Sequence, residues 1–342
     1  METKTIVVTG GAGYIGSHTI IELLNNTKYN VISIDNYSNS SPKTYERIEK
    51  ITGKQIKFYA ADLCNKEEIE KIFKKNPGIV GIIHFAAFKS VPESVSDPLK
   101  YYHNNINSLI NLLYCLNKFK ISNFIFSSSC SVYGDIKELP VSEQTPLQKA
   151  QCPYAYTKVI GENIIQDFCK TNKNVKCISL RYFNPVGAHI SGLIGELPIA
   201  PPTNLVPIIT QTGIGKIKAF NIHGNDYNTR DGSCIRDYVH VSDIAAAHVL
   251  ALDFLIDNKN NYEVFNLGTG QGVSVLEAIK AFENVTGIKP NYKIGPRRDG
   301  DVESIYSDCK KANITLGWKP KYDLEQMMDT AWKWEKYLKE SL

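Results

Sequence analysis

The chain lacks a long apolar run, a paired cysteine or histidine motif, and a block of like charge. No stretch approaches the ~20 apolar residues of a membrane helix, so no membrane partner is expected. The first residues, METKTIVVTG, enter a strand pattern at once, so no signal peptide is expected. Basic and acidic residues number 39 and 35, a net charge of +4 spread along the chain. Nucleic acid is therefore not an expected partner. Cysteines 64, 115, 130, 152, 169, 177, 234 and 309 show no CxxC spacing. A chain this long needs no staples, so reduced thiols in a cytoplasmic protein are expected. The 7 histidines contain no HxxxH or HExxH pair, and no metal site is expected.

What is present is an alternation. Short β-branched runs lie at 5–10, 30–35, 56–62, 79–87, 123–129 and 175–183, with helical patterns near 14–26, 66–75, 98–119 and 153–171 between them. Several runs are almost continuously apolar, which suits strands buried on both faces of a parallel sheet. Repeated βαβ units predict an α/β, Rossmann-type doubly wound sheet over residues 1–180. Beyond about 181 the pattern loosens into a Gly- and Pro-rich insert, GAHISGLIGELPIAPPTN at 187–204. The strand-like DYVHV (237–241) and EVFNLG (263–268), with a helix near 242–257 between them, are expected to return to the sheet. The rest of 181–342, with a terminal helix near 323–340, reads as a smaller C-terminal substrate-binding domain over the carboxyl ends of the strands.

TGGAGYIG (9–16) follows the first strand and opens a helix. Gly10, Gly13 and Gly16 give GxxGxxG; Gly11, Gly13 and Gly16 satisfy GxGxxG equally well. Either register brings backbone amides and a helix N-terminus to a pyrophosphate. Asp35 ends the second strand, 19 residues after Gly16. A carboxylate there accepts from a ribose diol and repels a 2′-phosphate, favouring NAD over NADP. Asp62, at the end of FYAAD, suits either an adenine amino group or the cap of the following helix.

CPYAYTK (152–158) holds two tyrosines and a lysine. Pro153 suits a first helical position, and Tyr154 and Lys158 are then i and i+4 on one face. Tyr156 points elsewhere. A free phenol has a pKa of about 10. A neighbouring ammonium and a cationic nicotinamide are expected to lower it; a drop of about three units takes about 4 kcal/mol. The phenolate then removes a proton from an alcohol as hydride leaves its carbon. FSSSCSVYG (126–134) adds hydroxyls at a strand end, suited to relaying that proton or to forming a simple turn.

TGGAGYIGSH, SSSCSVYGD, YAYTK, RYFNPVGAH, GNDY, RDYVHV, NLGTG and PRRDGD occur in this order across nearly the whole chain. So arranged, the sequence resembles the UDP-glucose 4-epimerases of the extended short-chain dehydrogenase/reductase superfamily. The resemblance implies a tightly held NAD, a UDP-hexose (UDP-glucose or UDP-galactose) and a homodimer. It implies Tyr154 as base, Lys158 as its electrostatic and ribose-binding partner, and Ser129 as relay hydroxyl. For NAD it implies Gly10, Gly13, Tyr14, Ile15, Gly16, Asp35, Asn36, Asn39, Asp62, Leu63, Phe85, Ala86, Lys89, Asn104, Ser127, Tyr154, Lys158 and Tyr182. For the UDP-sugar it implies Ser129, Tyr154, Asn184, Asn204, Leu205, His223, Arg236, Arg298, Asp301 and Ile305. The planar fork of arginine suits a diphosphate.

Some positions depart from the family pattern. His223 stands where Phe often packs near uracil, Ala87 where Gly is usual, and Ile305 at a gate where Tyr excludes N-acetylated sugars in some members. Turnover of UDP-GlcNAc and UDP-GalNAc enters the reading there. The rival readings are a related enzyme, such as a UDP-glucuronate epimerase or decarboxylase, and a non-catalytic NAD-binding scaffold. A dehydratase needs acids beside the catalytic hydroxyl, whereas Ser129 is flanked by Ser128 and Cys130.

Overall fold

The computed structural model describes residues 4–197, 199, 201–257, 260–298 and 301–341. Asp299, the carboxylate beside Arg298 in PRRDGD, lies outside the described residues. The strands are β1 (Thr5–Thr9), β2 (Asn30–Asp35), β3 (Lys57–Ala60), β4 (Ile79–His84), β5 (Asn123–Ser129), β6 (Lys176–Tyr182), β7 (Asn184–Val186), β8 (Phe220–His223), β9 (Ile235–Arg236), β10 (Tyr238–His240), β11 (Tyr262–Leu267), β12 (Val273–Ser274), β13 (Tyr292–Gly295) and β14 (Ser304–Ile305). The helices are α1 (Tyr14–Asn26), α2 (Lys43–Thr52), α3 (Lys66–Lys75), α4 (Val91–Ser96), α5 (Pro98–Lys118), α6 (Pro153–Thr171), α7 (Leu205–Gly213), α8 (Val241–Asp257), α9 (Val275–Thr286), α10 (Lys310–Leu316) and α11 (Leu324–Glu340).

The central sheet has 7 strands in the order β11-β6-β5-β4-β1-β2-β3, and every pairing in it is parallel. It is therefore an α/β sheet of the Rossmann type, with its strand order reversing between β1 and β4. Successive side chains of a strand face opposite ways. Ile6 and Val8 accordingly enter a core with α1, α2 and α8, while Val7 enters one with α3, α5 and α6. A third core joins α7, α9 and α11 to β8 and β10. Small sheets β10-β7, β12-β9-β14 and β13-β8 complete the later part of the chain.

Four expectations need correction. Residues 238–240 do not rejoin the central sheet but pair in parallel with β7. The apolar run at 79–87 overshoots its strand: β4 stops at His84, and Phe85–Ala87 leave the sheet as cavity lining. Strand β3 is not buried on both faces, because it forms the sheet edge, and Phe58 is 47% exposed. Helix α2 was not expected, since its apolar positions are few; Thr44, Tyr45 and Ile48 form its buried face, and Gly53 ends it at φ 67°.

Helix α6 positions the face that carries Tyr154 and Lys158. Pro153 occupies its first turn after a Cys152 cap. One turn beyond Lys158, Glu162 forms a bidentate pair with Arg181 of β6, at 2.9 Å to Nε and 2.6 Å to Nη2. Both side chains are buried. Removing one partner leaves a charge unpaired in the interior. Glu162→Leu is expected to lower stability by about 3–5 kcal/mol, and Glu162→Leu with Arg181→Met to recover most of it. Urea midpoints of both variants check this; a single variant within 1 kcal/mol of wild type, by order of magnitude, contradicts it.

Candidate active site

A cavity of about 640 Å³ opens at the carboxyl ends of the central strands. Its lining resolves the two glycine registers. Gly10, Gly13 and Gly16 line it, whereas a side chain on Gly11 would run into Ser33 and Ile20. Gly10 has φ +70°, and a Cβ there would meet the Ala86 amide at 2.7 Å. A Cβ on Gly16 would strike the Gly10 carbonyl. The turn therefore closes only with hydrogen at these positions. Helix α1 begins at Gly13 with no side-chain cap and no acid in its first turn. Its free amides and positive dipole end border the cavity, a fit for a pyrophosphate.

The carboxylate of Asp35 also lines the cavity. It accepts from Ala12 N at 3.0 Å, Tyr37 N at 2.9 Å and Ser40 Oγ at 2.9 Å, which fixes its orientation. Asp62 does not cap α3; Asn65 does, accepting from Glu68 N at 3.2 Å. Asp62 instead lines the cavity and accepts from Cys64 N at 2.8 Å. Asn36, Asn39, Leu63, Phe85, Ala86, Lys89, Asn104, Ile15, Ser127 and Tyr182 lie on the same lining. Tyr14 does too, with its hydroxyl donating to Gly187 O at 2.6 Å. Lys89 is committed to Glu196, at 2.7 Å.

At the other end, Ser129, Tyr154 and Lys158 converge on the cavity wall. Lys158 donates to Ser127 O at 2.6 Å, and its Nζ is 5.9 Å from the Tyr154 ring centroid. Burial pulls its amine down to about 8, against the opposing pull of Glu162. Ser129 Oγ accepts twice from residue 131, from the amide at 3.2 Å and from Ser131 Oγ at 3.0 Å. With its lone pairs so engaged, its own proton is available to donate into the cavity. Tyr156 lies off this face, 48% exposed.

The fall expected for Tyr154 counts two cations, an ammonium and a nicotinamide; the protein's own groups alone move the phenol the other way. Burial pushes the phenol up to about 12, a hydrogen bond from Ser129 opposes that, and the nearby Cys130 and Cys152 add to it. Desolvation of the phenolate is the largest influence on it.

Asn184, Asn204, Arg236, Asp301 and Ile305 line the cavity as well. Asn184 Oδ1 is buried without a protein partner, as expected of a group reserved for a ligand. Arg298 and Arg236 share Asp301, at 2.8 Å and 3.7 Å. Arg298 itself, Leu205 and His223 lie outside the lining: Leu205 begins α7, and His223 ends β8 with its side chain exposed. The sequence reading missed Arg47, Ser131, Phe183 and Glu196 on the lining. Arg47 rides on α2, whose Pro42 and Gly53 are its only strong signals; Glu196 sits in the aperiodic insert.

The glycine turn, an uncapped helix end, Asp35 and a Ser-Tyr-Lys wall thus share one cavity. A family model described as GDP-mannose 4,6 dehydratase matches residues 7–331. The UDP-glucose 4-epimerase of Pasteurella multocida is 47% identical over 97% of this chain and 97% of its own. That of Dictyostelium discoideum is 48% identical over 96% and 95%. The chain belongs to the UDP-glucose 4-epimerase family. A UDP-glucose 4-epimerase from Stenotrophomonas maltophila with bound NAD and formylated UDP-arabinopyranose superposes with TM-score 0.96 at 42% identity, covering 99% of this chain and 100% of that one. One from Bifidobacterium longum in complex with NAD+ and UDP gives 0.95 at 44%, with the same coverage. The epimerase assignment also agrees with the wall around Ser129. Glu162, the acid nearest Tyr154 on α6, is withdrawn beneath the wall by Arg181 and by Ser128 at 2.6 Å.

In cofactor-free protein, the Tyr154 phenol is expected to stay protonated below pH 10. Difference-absorbance titration of wild type against Tyr154→Phe checks this. A phenolate transition below about 10 that the variant lacks would show that Lys158 outweighs burial.

Proposed function

We propose that this protein is an NAD-dependent UDP-glucose 4-epimerase, interconverting UDP-galactose and UDP-glucose through a transient 4-keto sugar. The observation that carries this is the meeting of Ser129, Tyr154 and Lys158 with the α1 glycine turn in one cavity. When bound, NAD supplies a hydride acceptor at C4 that later returns the hydride, so there is no net redox change.

The chain's own residues supply the proton chemistry. Tyr154 takes the 4-OH proton as hydride leaves C4 and restores it to the product. Ser129 donates to the developing phenolate. Lys158, still charged below its pKa of about 8, adds positive potential and a ribose contact. Because burial holds the Tyr154 pKa up, a second positive charge would favour the phenolate, and a cationic nicotinamide would supply one. Arg236, with Arg298 joined to it through Asp301, tethers the diphosphate while the ketone turns over. Asn184 and Asn204 on the lining complete the nucleotide-sugar site.

In this reading residues 1–180 hold NAD and 181–342 hold the UDP-sugar, with β11 lent to the central sheet. We further read the protein as a cytoplasmic homodimer joined through α5 and α6. Support comes from the unpaired cysteines and from exposed Leu99, Tyr114 and Tyr156 on those helices. Among the described residues no helix is long and apolar enough to cross a membrane.

Ile305 adds a second substrate pair. It lines the cavity and is buried against Val132, Tyr133, Val141 and Phe183. Lacking the bulk and hydroxyl of a tyrosine, it suits acceptance of UDP-GlcNAc and UDP-GalNAc. Ile305→Tyr is expected to suppress that pair while sparing UDP-galactose. Absence of acetylated turnover in wild type removes this extension and leaves the main reading intact.

Tyr154→Phe is expected to slow turnover of UDP-galactose by about 10²–10⁴-fold, and Tyr156→Phe to keep most activity. A coupled assay for UDP-glucose decides it. Equal rates for wild type and Tyr154→Phe exclude Tyr154 as base; no turnover by wild type overturns the epimerase reading.

A further inference from the structure

The carboxylate of Glu196 occupies a position that the proton chemistry leaves unexplained. Its Oε1 accepts from Lys89 Nζ at 2.7 Å and from Asn204 Nδ2 at 2.9 Å. Lys89 follows β4 on the dinucleotide side of the cavity, whereas Asn204 precedes α7 on the nucleotide-sugar side. One oxygen therefore ties the two walls together.

The backbone behind that oxygen is fixed from the opposite side. Trp334 of α11 donates its indole N–H to Glu196 O at 2.9 Å. Gly195 lies flat on the same indole, where a Cβ would meet Trp334 Cγ at 2.6 Å. Arg47 of α2 covers the Trp334 ring at 5.0 Å from its centroid. Residues 194–197 thus form a strap that lines the cavity, pinned by an indole behind and by Lys89 in front.

Energetics separate this contact from fold stability. Lys89 is 52% exposed and Glu196 12%. With its lysine half-exposed, the pair contributes modestly to folding and is partly screened by salt. Its effect falls on the opening of the strap, because Lys89 and Asn204 are the groups that must move for the two walls to part.

We propose that Glu196 is a positioning residue that holds the strap 194–197 closed between the cofactor wall and the nucleotide-sugar wall, and so sets the rate at which NAD leaves. The inference rests on the NAD-dependent epimerase reading. Glu196→Ala removes the acceptor for both Lys89 and Asn204. Glu196→Gln keeps a neutral acceptor oxygen and loses the charge. Neither change touches the Ser129, Tyr154 and Lys158 wall.

The test uses purified holoenzyme, passed through gel filtration and assayed over time for protein-bound NAD. Glu196→Ala is expected to lose NAD about 5–10-fold faster than wild type, equivalent to about 1–1.4 kcal/mol, with Glu196→Gln between them. Wild-type loss is expected to quicken with added salt, and loss from Glu196→Ala to be insensitive to it. With NAD saturating, Glu196→Ala is expected to raise KM for UDP-galactose and leave kcat near wild type. Equal NAD release by wild type and Glu196→Ala, or the same salt response in both, overturns the proposal while leaving the epimerase reading standing. A wild-type protein that neither carries NAD nor turns over UDP-galactose overturns both.

Discussion

The buried pair of Glu162 and Arg181 fixes the geometry on which the site depends. Arg181 lies on β6 and Glu162 on α6, so the pair joins the sheet to the helix that carries Tyr154 and Lys158. Its remaining valences are also used. Arg181 Nη1 donates to Tyr133 OH at 3.0 Å, Tyr133 donates to Asn266 of β11 at 2.7 Å, and Ser128 of β5 donates to Glu162 at 2.6 Å. Three adjacent strands, a helix and the turn after β5 are thereby held in one satisfied network. A half-satisfied buried network is more costly than an apolar core, so this one tolerates little displacement. Because Tyr154, Lys158 and Glu162 follow at four-residue steps, fixing the last fixes the face that carries the other two.

That rigidity bears on the acid-base problem. A phenol buried deeply enough to be shielded from water is hard to ionise, and burial alone drives Tyr154 the wrong way for a base. Lys158 does not correct this alone, since its ammonium is bonded to Ser127 O and is itself weakened by burial. A further positive charge at the wall would favour proton removal. This dependence is useful for an enzyme that oxidises and re-reduces one sugar. An oxidised nicotinamide would favour the phenolate before the first transfer, and loss of its charge would raise the phenol pKa again, so that the proton taken from the sugar stays on Tyr154 until it is returned.

Much of the dinucleotide half was legible because its signals are local. Gly10, Gly13, Gly16 and Asp35 fall at fixed distances from apolar strands, and a parallel sheet allows few other arrangements. Tyr154 and Lys158 were legible for the same reason, through helical spacing. What was lost depended on long-range contacts. Whether Asp62 or Asn65 capped α3 turned on an acceptor's direction. Residues 238–240 have a strand pattern but pair with β7 rather than the central sheet, and periodicity does not name a partner. Helix α2 buries only one narrow face, so it carried little apolar signal although it brings Arg47 to the cavity. The fall expected for Tyr154 counts a nicotinamide charge as well as Lys158, whereas the protein's own surroundings, with burial the largest influence, raise the phenol.

In the proposed reading, the later third of the chain converts a general alcohol oxidation into one on a tethered substrate. Asp301 stands between Arg236 and Arg298, so two cations are held near one anion without neutralising each other's access to a diphosphate. Arg236 is in β9, paired with β14, and β14 carries Ile305 into the same cavity. In the proposed reading, the group that grips the nucleotide and the residue that meets the sugar share a two-residue strand pairing. Sugar rotation between the two hydride transfers needs a firm anchor at the diphosphate and few directional contacts at the hexose. Arginine forks supply the first. An apolar wall of Ile305 and Phe183, which offers no hydrogen bond to hold either face of the ring, supplies the second.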